Sequence, residues 1–430
     1  MNGKEYFLSE TGIENPKVLV VDTIPKNARN QGSINLGVAI VTKGLKADTC
    51  HWWEVVENIA DYQVIAFNIF YPTHLLNIYP FMKRNGIEPY AENRSGQIMW
   101  AGGQGVGVNG ILDTMMDHVF HGELDGDVQD KNGFWRRSVL DSGVFVKNDK
   151  AAIELTRGCK YRCGFCEYGW VHGGKYREKD FELVKAQIED CLERGIKSIN
   201  FMSANFGGYG PVHELIEYCG EKKVLVLNAD ACLRDLHKMM DHIPNRYIKL
   251  GLESFNEVTR GSVGKNISDE ELDELVDVLM SKCSGIHFYL IYGLPGDDYE
   301  RWLHWQKKIA EKRKAYTDRS IRIEFSITNF EPCAGTSLED APHVNFDEKH
   351  DFLRKWGQGL IDLGFHKGTS VWYPNCGGRF GRKPDSYRLL MALKTMGSEA
   401  AERMIGHYKS GVGRSIKDNV AERFFKPLKK

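Results

Sequence analysis

Apolar and polar positions along the chain fall into two stretches with the same rhythm. From Lys17 a polar beginning gives way to Val18-Leu19-Val20-Val21-Asp22, an apolar run closed by a turn at Ile24-Pro25. That is the pattern of a strand buried on both faces. Helical periodicity follows at 36–45 and 75–85, and further apolar runs stand at 64–69, 97–101 and 118–120. Strand alternating with helix in this way predicts a doubly wound α/β domain over 17–125, behind a polar tail of 1–16. Its ligand would bind beyond the carboxyl ends of the strands. Those ends are Asp22-Thr23-Ile24, Asn68 to Thr73, Gly102-Gly103-Gln104-Gly105 and His121-Gly122-Glu123, all loops of glycine and polar residues.

Residues 126–150 are charged and turn-rich, with Asn132-Gly133 and Asp141-Ser142-Gly143, and read as a linker with a short hairpin. The alternation then resumes. Strands are expected at 151–155, 196–202, 223–228, 247–252, 286–292 and 321–328, with helices at 181–194, 212–219, 269–281 and 299–313. Six parallel-type strands with intervening helices predict a partial (β/α)6 barrel over 151–340, whose catalytic groups collect at the carboxyl ends of the strands. Beyond it, 341–430 reads as a mainly helical extension over the substrate, with an aromatic and glycine-rich piece at 371–384.

Composition narrows the classes. Lys plus Arg number 57 and Asp plus Glu 58, so the net charge of -1 carries no field that favours nucleic acid or membrane. The 10 cysteines are not arranged as a disulfide framework, which suits a reducing cytoplasm. The first residues lack the apolar segment of a signal peptide, and no apolar run reaches the roughly 18 residues of a membrane span.

Candidate chemistry concentrates just past the first barrel strand, in Ile153-Glu154-Leu155-Thr156-Arg157-Gly158-Cys159-Lys160-Tyr161-Arg162-Cys163-Gly164-Phe165-Cys166. Three thiols spaced C-x3-C-x2-C suit a cubane cluster with one iron left open for a ligand. A structural zinc site would want a fourth Cys or His nearby, and buried inert cysteines are the bland alternative. Gly102 to Gly107 invites a dinucleotide reading, but that fingerprint belongs after a first strand and this one follows the third.

Cys159, Cys163 and Cys166, with Phe165 before the last, resemble the signature of the radical S-adenosylmethionine (SAM) enzymes. The resemblance implies a 4Fe-4S cluster on the three cysteines, SAM chelated to the open iron, and reductive cleavage to a 5'-deoxyadenosyl radical that abstracts hydrogen from substrate. It places Phe165 beside the adenine. Where the family carries Gly-Gly-Glu for the SAM amino group this chain has Ser203-Ala204-Asn205, so Ser203 or Asn205 stands in; Glu253 and Ser254 match a G-x-E-S segment, and Gly293 and Pro295 a loop beside the adenine.

The N-terminal layout resembles the cobalamin-binding domain of one branch of the family, through Thr73, Gly102, Gly103 and Glu123 among others. No D-x-H-x-x-G motif supplies a histidine to cobalt. Methyl transfer or another C-C bond formation is the leading expectation. The alternatives are a cobalamin-independent isomerase or modification enzyme acting on a nucleobase, and a non-catalytic iron-sulfur protein. A flavodoxin or ferredoxin would supply the electron, and a small molecule is the expected substrate, with a nucleic acid or nucleotide as the alternative. Cys333, at the end of the sixth strand, is a candidate to quench or donate hydrogen, against a reading as a small buried residue.

Overall fold

A run such as Val18-Leu19-Val20-Val21 has no polar face, so it can only form a strand covered on both sides. In the computed structural model, which describes residues 11–24, 35–70, 77–106, 112, 115–120, 123, 143–147, 149–171, 176–227, 230–236, 247–316, 321–330, 332, 336–342 and 346–365, this is so. The protein is mixed α/β and divides into two units, Met1–Arg137 with Gly377–Lys430, and Ser138–Cys376. No helix among the described residues is long and apolar enough to cross a membrane.

The first unit holds five parallel strands, β1 (Val18–Asp22), β2 (Asp48–His51), β3 (Val64–Asn68), β4 (Ile98–Gly102) and β5 (His118–Phe120), in the order β2-β1-β3-β4-β5. Val18, Val20, Val64, Ala66 and Trp100 pack on one face with Leu45 of the helix Leu36–Leu45, while Leu19, Val21, Ile65, Phe67 and Met99 pack on the other with Ile78, Phe81 and Met82 of the helix Ile78–Arg84. The chain leaves β1 to one side and returns to β3 on the other. That reversal makes the carboxyl ends of β1 and β3 a topological switch point of the sheet. Asn35 caps the first helix through its side-chain oxygen and gives its Nδ2 to Asp22, 3.1 Å away.

Four strands were expected here and five are present. The missed one, β2, is an edge strand of sequence Asp-Thr-Cys-His with a single buried residue, so it never forms an apolar run.

In the second unit β6 (Val144–Lys147) pairs antiparallel with β7 (Lys150–Glu154), which puts the end of the expected linker into a sheet. After β7 come the two-residue strands β8 (Thr156–Arg157) and β9 (Arg177–Glu178), which pair with each other on either side of the cysteines. The next strands are β10 (Ser198–Met202), β11 (Leu225–Val226), β12 (Asp230–Cys232), β13 (Tyr247–Glu253), β14 (Gly285–Tyr292) and β15 (Arg322–Asn329). They build two sheets, β11-β10-β7-β6 and β12-β13-β14-β15, in which every pair but β6 with β7 is parallel. The six expected strands are all present, and the three-residue β12, too short and polar to show as a run, is added to them.

One apolar core joins both sheets. Ile153, Ile199, Phe201, Leu250, Phe288 and Phe325 contribute from the strands, and Ile188, Leu215, Leu279 and Trp302 from the helices Phe181–Glu193, Val212–Glu221, Asp269–Lys282 and Tyr299–Ala315. The helix Phe346–Asp362, which the sequence assigned to a separate extension, buries Phe352, Trp356 and Leu360 in this same core.

Gly103 shows what the glycine-rich loop after β4 is for. Its φ is +107°, and a Cβ there would lie 2.4 Å from the carbonyl oxygen of Ile69. That space is filled by the backbone after β3, whose Ile69 carbonyl also accepts the Gly105 N–H at 2.9 Å. Gly103→Ala is therefore expected to cost about 2–4 kcal/mol, combining left-handed strain with a backbone clash. Chemical denaturation of the full chain measures it.

Candidate functional site

The cysteine loop leaves the sheet as β7 ends. Leu155 still bonds to Met202 of β10 at 2.9 Å, the β8–β9 pair follows, and Gly158, with φ +79°, turns the chain. Glu154 and Arg157 form a two-pronged ion pair at 2.8 and 2.7 Å, almost out of solvent, at the root of the loop. Such a fork–fork pair fixes orientation as well as charge.

Inside the loop, backbone bonds set the thiols. The Cys166 N–H bonds to the Cys163 carbonyl at 3.0 Å, Trp170 Nε1 reaches the same carbonyl at 3.1 Å, and Gly158 N–H bonds to the Tyr168 hydroxyl at 3.1 Å. Gly164 donates to Val263 at 3.2 Å, and a Cβ on it would sit 2.9 Å from the Ser337 hydroxyl. Gly169 is equally constrained, because its Cβ would lie 2.4 Å from the Tyr161 carbonyl.

None of the three cysteines is in a disulfide; Cys163 is buried and Cys159 and Cys166 are half-buried. The Tyr161 N–H already points at Cys159 Sγ, 3.4 Å away, as a donor to a ligating thiolate would. Among the described residues no three His, Cys, Asp or Glu groups converge on a single metal ion. A cubane asks for something else, because each thiolate holds a different iron and the sulfurs stay apart. The residues present fit that group.

Several predicted residues gather around this loop. Phe165 packs against Val263, Ile291, Leu294 and Phe330, which joins it to the Gly293–Pro295 turn at the end of β14. Gly293 has φ +92° and gives its N–H to the Tyr299 hydroxyl at 3.0 Å, while Pro295 is exposed. Residues 263–265 run beside the loop, where a Cβ on Gly264 would be 3.8 Å from the Arg162 carbonyl.

That segment brings Lys265 to Glu253. Their ion pair is 3.1 Å long with both side chains at least nine-tenths buried, and Lys265 also bonds to the Gly251 carbonyl at 3.2 Å. Glu253 has φ +68° and the Ser254 N–H closes onto the Leu252 carbonyl at 2.9 Å, a γ-turn of the strained hand. Gly251 leaves the room, since its Cβ would lie 2.9 Å from the Glu253 carboxylate. Strain held at a strand end beside a candidate site points to function.

Ser254 behaves differently from its expectation as a ligand contact. It is fully buried, its hydroxyl donates to Asp297 Oδ1 at 2.7 Å, and it accepts from Trp302 Nε1 at 3.2 Å and from the Asn256 N–H at 2.9 Å. The hydroxyl braces the turn rather than facing a ligand. On the other side, Ser203 Oγ meets Thr156 Oγ1 at 2.8 Å and accepts the Asn205 N–H at 3.0 Å, and the Asn205 amide bonds to Asp235. Gly102, Gly103 and the half-buried Glu123 belong to the other unit. Thr73 and Cys333 lie outside the described residues.

The sequence reading passed over Lys265, Asp235, Asp297 and a polar network on the sheet. His287 Nε2 and Ser326 Oγ are 2.6 Å apart, His287 Nδ1 lies 3.5 Å from Glu324, and Tyr247 and Arg322 bond to the same carboxylate. His287, Glu324 and Ser326 are all buried. The signal was present as alternation, in Ile286-His287-Phe288-Tyr289 and Ile323-Glu324-Phe325-Ser326, which gives these strands one apolar and one polar face.

Comparison with known proteins agrees with this geometry. Residues 153–309 match the model of the Radical SAM superfamily. The chain is similar to the ribosomal protein uS12 methylthiotransferase RimO of Desulforamulus reducens, 23% identical over 202 residues that cover 43% of this chain and 44% of that protein. It is also similar to the threonylcarbamoyladenosine tRNA methylthiotransferase MtaB of Thermotoga maritima, 23% identical over 190 residues, 43% of this chain and 37% of that protein. The chain thus spans less than half the length of these curated relatives. Among solved structures it shares its fold with the radical SAM methyltransferase TsrM of Kitasatospora setae, seen with tryptophan and a SAM analogue, at a TM-score of 0.50 and 10% identity over 95% of this chain and 99% of that one. Residues 153–309 are a radical SAM domain, and the chain is an enzyme.

Asp297, which anchors Ser254, is itself unusual. Its Oδ1 accepts three donors, whereas Oδ2 is buried with no hydrogen-bond partner. Burial pushes its carboxyl up to about 6, against the pull of the Ser254 and Trp302 donors. A raised carboxyl stabilises the fold below its ordinary range near 3.8, and that contribution is lost as pH rises through about 6. Asp297→Asn keeps the Oδ1 acceptor and removes the charge. It is expected to be more stable than the parent by about 1–2 kcal/mol near pH 8 and equal to it below about pH 4, as read by denaturation at both values.

Proposed function

We propose that the chain holds a 4Fe-4S cluster on Cys159, Cys163 and Cys166, binds SAM beside it, and uses reductive cleavage of SAM to drive a group transfer, with methyl transfer the leading form. The observation that carries this is the position of three cysteines outside any disulfide on one loop at the carboxyl end of β7, inside the segment that matches the superfamily. When bound, the cluster supplies one electron at low potential to the sulfonium of SAM, which breaks a carbon–sulfur bond.

The chain's own groups bind and orient. Phe165 and the Gly293–Pro295 turn offer an apolar and backbone-lined seat for the adenine, where Gly293 permits close approach. Glu253, fixed by Lys265, and Asn205, fixed by Asp235, are the polar groups aimed at the amino-acid and ribose parts. In this reading the second unit is a partial (β/α)6 barrel, whose polar strand face takes the substrate and whose strand ends take the cofactor. An external one-electron donor of the flavodoxin or ferredoxin type serves the cluster, and a reducing cytoplasm suits cysteines outside any disulfide.

The first unit, as a Rossmann-like domain, is assigned to cobalamin. Its β2-β1-β3-β4-β5 order opens a crevice where Asp22, Asn35 and Asn68 already meet, and a flat cofactor with amide edges fits such a strand-end crevice. The activities of the curated relatives that the chain resembles favour a second reading, cobalamin-independent transfer of a methylthio group to a ribosomal protein or a tRNA.

Anaerobic reconstitution is expected to yield about four irons and matching sulfide per chain. Each of Cys159→Ala, Cys163→Ala and Cys166→Ala should lower 5'-deoxyadenosine formation from SAM under dithionite by at least about 100-fold. Parent-like cleavage in any of them overturns the assignment. Refolding with hydroxocobalamin and gel filtration separates the two readings, since only the first retains the coloured cofactor.

A further inference from the structure

At the end of β10 one carboxylate fastens an amide and the cysteine loop together. Asp235, 2% exposed in the short helix Leu233–Leu236 after β12, receives on a single oxygen, Oδ2, both Asn205 Nδ2 at 2.5 Å and the Tyr161 hydroxyl at 2.7 Å. An ionised carboxylate only accepts, so the amide must turn its NH2 toward Asp235 and its Oδ1 the opposite way. Gly208 makes room for this arrangement, because a Cβ there would stand 2.6 Å from Asn205 Nδ2 and 3.5 Å from Asp235 Oδ2.

The surroundings show why an anion is placed behind an amide. The segment Ser203-Ala204-Asn205-Phe206-Gly207-Gly208 contains no acidic residue. On the cysteine loop, Lys160 is engaged by Glu178 at 3.0 Å and by the Gly208 carbonyl at 2.7 Å. Ser203 is spent on Thr156 and on the Asn205 backbone. A neutral carboxamide is a modest partner for a full positive charge, but an amide whose NH2 is held by a buried carboxylate carries more negative charge on its oxygen.

We propose that Asp235 is a positioning residue for SAM: it orients Asn205 so that Oδ1 meets the α-ammonium, supplies the negative charge the 203–208 segment lacks, and through Tyr161 keeps that amide in register with the cysteines. This rests on the reading of the site given above.

Because both donors share one oxygen, Asp235→Asn keeps an acceptor for both bonds and removes the charge. The test uses anaerobically reconstituted full-length protein and two probes, SAM and its analogue lacking the α-amino group. Asp235→Asn is expected to match the parent in iron, sulfide and the EPR signal without SAM, to bind SAM about tenfold more weakly, and to bind the analogue as the parent does. Tyr161→Phe cuts only the tether. It should lose iron to a chelator several-fold faster while its SAM affinity stays within about threefold of the parent. SAM affinity in Asp235→Asn within about twofold of the parent, or equal weakening of SAM and analogue, overturns the role of Asp235 alone. A parent protein that binds no SAM overturns the underlying reading and this inference with it.

Discussion

The second unit depends on presenting three thiols from one loop without leaving that loop's own backbone polar groups stranded. Buried N–H and C=O groups must be paired, and this loop is too short to pair them within regular structure. It solves the problem by leaning on its neighbours: Gly164 on Val263, Gly158 on the Tyr168 hydroxyl, and Trp170 on the Cys163 carbonyl. Each contact requires a backbone approach that a side chain would block, hence glycine at 164 and 169. The thiols are therefore placed by the loop's fastening to the rest of the sheet.

Buried carboxylates carry the second level of organisation, and three of them use different partners. Glu154 is locked by a guanidinium, Glu253 by an ammonium on the far side of a strained turn, and Asp297 by uncharged donors alone. The first two are each paired with a cationic side chain, which offsets desolvation. Asp297 has none, and its carboxyl rises accordingly. The same strand-end rim thus holds two carboxylates paired with cations and, in Asp297, one whose carboxyl is raised by burial.

Much of the architecture was legible in the sequence, for a definite physical reason. Strands covered on both faces, such as β1 and β3, announce themselves as unbroken apolar runs, and the Leu36–Leu45 helix as periodicity. The elements that escaped, β2 and β12, are short and polar, and their pairing is decided by neighbours far along the chain. The cysteines were legible because their chemistry is local. Asp235 was not, since it lies far along the chain from Tyr161 and only the fold brings the two together. Ser254 was legible as part of its motif, but its bonds to Trp302 and Asp297, which are distant in sequence, were not.

The two-faced character of β14 and β15 has a consequence for how the ladder assembles. Ile286, Phe288, Ile323 and Phe325 lie in the core, while His287 and Glu324 stand directly opposite one another in the pairing, bonded into a polar cluster on the reverse side. Side chains alternate with period two, so a slip by one residue would thrust an imidazole and a carboxylate in among Phe255, Trp302 and Trp356 and strand their hydrogen bonds. The polar cluster therefore acts as a proofreading latch on strand alignment, excluding off-by-one pairings that an all-apolar ladder of this length would tolerate.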